Sequence, residues 1–83
     1  MVADFSASPT DGFTPLVVTF NDLSSGGATS WSWDFGDGGS STLQNPAHQY
    51  NSSGTYTVSL TVDNSGGVDS ETRTDYIQVE EPV

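Results

Sequence analysis

Cysteine is absent from this 83-residue chain, lysine is absent too, and Arg73 is its single base. Without cysteine the chain cannot use the disulfides that small secreted domains often add to a thin core. A chain of this length fits one domain and buries only about two thirds of its unfolded surface, so packing and backbone pairing must carry the stability. Cysteine-ligated zinc is excluded, and one histidine, His48, excludes a histidine-rich metal centre. Eleven acids against one base, a formal net charge of −10, leave nothing to neutralise the phosphates of DNA or RNA. The same shortage disfavours an anionic membrane surface. No apolar run approaches the ~20 residues of a membrane span. The opening MVADFSAS lacks the basic start and apolar stretch of a signal peptide. Acidity this strong suits a solvated, self-repelling coat or a surface that attracts cations.

What is present is β-forming sequence cut by turns. Four clusters read as turns: Ser24–Gly27, Gly36–Ser41, Asn51–Gly54 and Asp63–Gly67. Between them lie short runs rich in Val, Thr, Phe, Tyr and Trp, and no stretch repeats apolar residues at helical spacing. The chain is therefore all-β, a sandwich or a barrel. The cleanest alternation is TYTVSLTV, residues 55–62. Tyr56, Val58, Leu60 and Val62 face a core, and threonine and serine face water. By the same parity Leu16, Val18 and Phe20 point inward, as do Ala3, Phe5 and Ala7 in residues 2–8, and Ile77 and Val79 near the end. Tyr76 points out or covers an edge. In WSWDF, residues 31–35, Trp31, Trp33 and Phe35 share one face, so the default role of these aromatics is core. Pro46 makes residues 42–50 an edge or a loop with a short strand at its end, and His48 and Tyr50 are expected at the core rim.

The acidic turn invites chemical readings, and each has a structural rival. Asp34-Phe35-Gly36 matches a kinase magnesium motif, but the chain is too short for that fold and lacks its partner residues. Asp34 and Asp37 are close enough in sequence to suggest a hydrolytic carboxylate pair, yet such pairs need a deep cleft. A serine triad fails for want of a nucleophile elbow beside His48. The structural reading wins: Asp34 and Asp37 accept hydrogen bonds from turn amides, and Gly36 or Gly38 takes a positive φ. Asn51-Ser52-Ser53 is a glycosylation sequon in a turn, a motif frequent by chance.

The spacing then supports a comparison. Val18, Trp33 and Val58 stand where immunoglobulin-like sandwiches place the central pin of strands B, C and F, with valines in place of the cystine. Tyr56 stands at the tyrosine corner, its hydroxyl aimed at backbone near Ser53 or Gly54. WDFGDG (33–38), NPAHQY (45–50), GTYTVSLTV (54–62) and DYIQV (75–79) together closely resemble the polycystic kidney disease (PKD) domain over about residues 3–80. The resemblance implies an immunoglobulin-like β-sandwich of two antiparallel sheets, about seven strands and no disulfide. It implies one domain over 1–83, with 81–83 (the end of EEPV) a linker remnant and the whole one repeat cut from a string. It makes Val18, Trp33, Asp34, Gly36, Asp37, Gly38, His48, Tyr56 and Val58 structural, with no catalytic residue. The opening VADFSASPTDGFTPLVVTF further resembles versions in archaeal and bacterial surface proteins.

The function implied is a non-catalytic, extracellular spacer in a surface-layer-like protein, contacting neighbouring domains, other cell-surface proteins or glycans. The isolated domain is expected to be a monomer with no membrane insertion. The alternatives are an adhesive module and a carbohydrate-binding or substrate-approach accessory domain of a secreted hydrolase. No cofactor is implied. Weak calcium binding stays open at Asn21, Asp22, Asp63 and Asn64, because collagenase modules of this family bind calcium near such loops, but SSGG here replaces their acidic loop. Trp31 stays open as a glycan contact if it is exposed. Cation-bridged packing of the acidic faces is a further expectation.

Overall fold

The computed structural model describes residues 1–82. Eight strands follow one another: β1 (Phe5–Ser8), β2 (Asp11–Phe13), β3 (Leu16–Asp22), β4 (Ser30–Asp34), β5 (Ser40–Ser41), β6 (Ala47–Tyr50), β7 (Gly54–Asn64) and β8 (Gly67–Glu80). They form a three-stranded sheet, β1-β3-β6, and a five-stranded sheet, β2-β8-β7-β4-β5. Eight strands accord with the about seven expected, the two shortest, β2 (DGF) and β5 (SS), having little strand patterning of their own. The expected linker remnant at 81–83 includes Val83, which lies outside the described residues.

One pairing departs from the antiparallel expectation. β2 runs parallel to β8, with Asp11 opposite Gln78 and Phe13 opposite Glu80. Between Ser8 and Asp11 the chain crosses from one sheet to the other without reversing, so its direction is kept. The remaining pairs are antiparallel. The β7–β8 hairpin is the longest element and carries an irregularity: Tyr56 faces Ile77 while Val58 faces Arg73. Asp75 sits in this bulge at φ 53°, where a short polar side chain is tolerated, and its N–H donates to Thr57 Oγ1 at 3.2 Å. The bulge turns Tyr76 onto Phe5, centroids 5.8 Å apart.

The core lies between the sheets. Trp33, on β4, is 1% exposed. Its ring meets Phe5 of β1 at 5.1 Å and Phe20 of β3 at 5.3 Å, so it bridges the layers. Burying one such indole contributes roughly 4–6 kcal/mol of transfer free energy. Its N–H is not wasted, donating to the Leu43 carbonyl at 2.9 Å. Val18 and Val58 are both fully buried in the same cluster. Leu16, Leu60, Val62, Ile77 and Val79 complete it.

Two aromatics depart from their expected depth. Tyr50 is not at the rim but fully buried, because its hydroxyl donates to the Phe35 carbonyl at 2.9 Å. Burial pushes that hydroxyl's pKa upward, with smaller contributions from Asp37, Tyr56 and Asp34. Tyr56 is only half-buried and packs on Tyr50 at 4.6 Å. Its hydroxyl donates to the Ser52 carbonyl at 2.6 Å, in the peptide that leads into Ser53.

The molecule measures 49 × 19 × 19 Å. Met1 lies against Asn64, Gly66, Gly67 and Val68, at the β7–β8 turn. Glu80 lies at the far end of β8. Met1 and Glu80 are therefore at opposite ends of a rod.

Candidate functional site

The acidic turn after β4 is built from its own sequence. Asp34 Oδ1 accepts from the Gly36 N–H at 3.0 Å, and Asp37 Oδ1 accepts from the Gly39 N–H at 2.8 Å. Each carboxylate thus closes the two residues that follow it, which is the local bonding that aspartate offers in turns. Both glycines take positive φ, 84° at Gly36 and 92° at Gly38. They differ in surroundings: a Cβ on Gly36 would overlap the Thr57 carbonyl oxygen, whereas a Cβ on Gly38 meets nothing. Gly39, read in sequence only as part of the turn, leaves room for the His48 ring.

His48 is held on two sides. Its ring stacks on Phe35 at 4.3 Å and 12°, and its Nε2 contacts Asp37 Oδ2 at 2.6 Å, with each side chain 21% exposed. Burial acts to raise the Asp37 pKa, but the hydrogen bond from His48, the Gly39 amide and the charge of His48 outweigh it and hold the carboxyl below the ordinary aspartate value. Asp34, Asp37 and His48 are therefore engaged in closing the turn and fixing β6 against it. The arrangement anchors Phe35 and Tyr50.

At the other end of the rod, Asp22 is the hub. Its Oδ1 accepts from the Ser24 N–H at 3.0 Å, and its Oδ2 accepts from the Trp31 indole at 2.9 Å and the Gln44 amide at 3.2 Å. The Asp22 N–H donates to Asn45 Oδ1 at 2.8 Å. Burial raises this carboxyl's pKa, while the bonds from Ser24, Gln44 and Trp31 lower it further than burial lifts it. Trp31 is half-buried, packed on the core, with its N–H committed to Asp22. Its alternation in sequence pointed to a core role, with glycan contact left for an exposed indole, but did not foresee this tie, which joins residues nine apart.

The four residues considered for calcium are already employed or dispersed. Asn64 accepts from Gly66 N–H at 2.8 Å and donates to the Gly26 carbonyl at 3.0 Å. The Asp63 carbonyl accepts from Thr29 N–H at 2.8 Å. Asn21 lies on the exposed face of β3. A calcium ion wants six to eight oxygens at short range; among the described residues no group of three or more acidic, His or Cys side chains is placed to hold a metal. Asn51, the sequon residue, is exposed and accepts from Gln49 at 2.8 Å.

Comparison with known proteins agrees with this frame. A family model described as "PKD domain" matches residues 2–79. Collagenase ColA of Bacillus cereus is 46% identical over 57 residues, which are 69% of this chain and 6% of the collagenase. The crystal structure of the PKD1 domain from the Vibrio cholerae metalloprotease PrtV superposes with a TM-score of 0.78 at 34% identity, covering 95% of each chain. A structure described under the promiscuous specificity of carbohydrate-binding modules from the β-sandwich superfamily gives 0.82 at 35% identity, covering 95% of this chain and 34% of that one. The chain thus spans a small fraction of the collagenase's length. It belongs to the PKD domain family and has that family's immunoglobulin-like β-sandwich.

Proposed function

We propose that this PKD domain is a non-catalytic accessory module of a secreted hydrolase, which holds a neighbouring domain at a fixed distance and helps it approach a polymeric substrate. The observation that carries the reading is the rod: 49 Å long, 19 Å across, with the first residues at one end and Glu80 at the other. A chain that enters at one end and leaves at the other transmits distance and direction to what it joins. The family relatives, a collagenase and a metalloprotease, support a hydrolase as the neighbour. They favour it over the surface-layer protein that the opening residues suggested. The location inferred is extracellular, in keeping with relatives that are collagenases and a metalloprotease.

A non-catalytic role follows from how the polar groups are spent. The carboxylates and histidine of the turn hold the turn, and Asp22 holds its own end. The partners inferred are neighbouring domains of the same chain and the substrate polymer, and the isolated domain is a monomer needing no cofactor. Trp31 gives the carbohydrate reading little purchase, since its indole is packed and bonded.

The test uses the parent hydrolase in three forms: intact, with this domain deleted, and with it replaced by an unrelated rod of equal length. Deletion is expected to lower activity on insoluble substrate while leaving a small soluble substrate unaffected, and the replacement restores part of the loss. Equal activity of the intact and deleted forms on both substrates would overturn the proposal.

A further inference from the structure

The chain's single arginine shows how this fold holds a guanidinium. Arg73 Nη2 donates to Asp4 Oδ1 at 2.6 Å, and its guanidinium lies 4.8 Å from the centre of the Phe5 ring and 5.3 Å from that of Tyr76. Aromatic faces and a carboxylate share one cation. The same residue types recur at the Glu80 end of β8, away from Arg73 in the middle of that strand. Phe13 is 58% exposed, the only aromatic among the exposed large hydrophobic residues described. With Asp11, Gly12, Gln78 and Glu80 it lines an open groove of about 310 Å³.

The placement follows from β2. Gly12 faces inward, where a Cβ would press on Leu16 at 2.8 Å. Asp11 and Phe13 must then face outward. Parallel register sets Phe13 beside Glu80 and Asp11 beside Gln78. Gln78 N–H donates to the Thr10 carbonyl, and Thr14 N–H to the Glu80 carbonyl. Peptide groups alternate in direction along a strand, so those of Asp11 and Phe13 point away from β8, at the outer edge of the five-stranded sheet. An aromatic face, two carboxylates and an unpaired strand edge thus converge on a chain with no second base to fill them.

We infer that this groove docks an extended polypeptide segment carrying arginine, its guanidinium seated on Phe13 between Asp11 and Glu80 and its backbone laid along β2. Charge complementarity selects the partner: a surface of net charge −10 repels acidic segments and draws basic ones. The free edge selects an extended backbone. The inference does not depend on the accessory-domain reading, because it concerns the isolated chain.

The experiment titrates the isotopically labelled 83-residue chain with a nine-residue peptide bearing arginine at alternate positions, and with its citrulline counterpart, following amide shifts by NMR. Citrulline keeps the planar side chain and removes the charge. Expected shifts centre on Asp11–Phe13 and Gln78–Glu80, with the citrulline peptide clearly weaker. Phe13→Ala and Glu80→Gln, both at exposed positions, each weaken binding roughly two- to fivefold. Asp63→Asn, at the opposite end, does not. Shifts spread over the whole acidic surface, equal weakening by Asp63→Asn, or equal binding of the citrulline peptide would overturn the proposal. Binding of a neutral oligosaccharide at Phe13 without binding of the arginine peptide would also overturn it, and would assign the groove to a glycan.

Discussion

The two ends of the rod use the same residue types in different ways. At the turn after β4, aspartates bond to amides two residues ahead, and the glycines fit between them. At the opposite end, Asp22 bonds to Ser24, Trp31 and Gln44, tying β3 to β4 and to the loop before β6. The turn's own amides close the first end, with His48 of β6 braced against it, whereas Asp22 adds two side chains from β4 and the loop before β6 to a single local bond. A local turn forms whenever its own few residues are right. A long-range hub forms only after the sandwich has brought its partners together, and it must then offset the entropy of fixing two loops.

Substitutions sharpen that contrast. The largest effect is expected at Gly36, where alanine meets both an unfavourable φ and the Thr57 carbonyl, costing about 2–4 kcal/mol. Gly38→Ala, with the same sign of φ but open space, costs about 1 kcal/mol. Urea unfolding of both variants measures the difference, and equal losses would mean that Gly36 is not seated on β7. Next comes Asp22→Ala, expected to cost about 2–3 kcal/mol because a charged acceptor of three bonds is removed. Hydrogen exchange should show faster opening around Ser24, Trp31 and Gln44, with the turn at 34–39 unaffected.

Acid probes both ends at once. Asp22 and Asp37 have carboxyl pKa values held below the ordinary aspartate value. A group whose folded pKa is depressed adds stability that is present above its unfolded pKa and lost as pH falls through the folded one. Thermal midpoints should therefore fall as pH drops below about 4, and the double variant Asp22→Asn, Asp37→Asn should show a flatter decline. A parallel decline in both proteins would show that other carboxylates dominate. The smallest effect is Tyr56→Phe, which removes one hydroxyl bond to Ser52 and costs about 1 kcal/mol in the same unfolding assay.

What could be read in advance follows the same division. The alternation in residues 55–62 places Val58, Leu60 and Val62 in the core because a strand's side-chain period is local and fixed. The bonds from Asp34 and Asp37 to turn amides are equally local. Tyr50 looked peripheral because Pro46 marked its short strand as an edge, and its burial depends on a carbonyl fifteen residues away. Asp22 reads as one more loop acid, since nothing near it in sequence names Trp31 or Gln44 as partners. The parallel run of β2 depends on where the chain changes sheets, which no side-chain pattern encodes. The Phe13 groove escaped notice for the same reason: its members come from strands more than sixty residues apart and meet only through register.

All of this rests on Trp33 lying between the two sheets. The direct measurement is acrylamide quenching of the Trp31→Phe variant, whose fluorescence then comes from Trp33 alone; acrylamide is neutral, so the acidic surface does not repel it. A residue 1% exposed and walled by Phe5 and Phe20 should emit in the blue and resist quenching until the domain unfolds. Emission at the wavelength of free indole, with quenching as fast in the native protein as in urea, would contradict the sandwich itself.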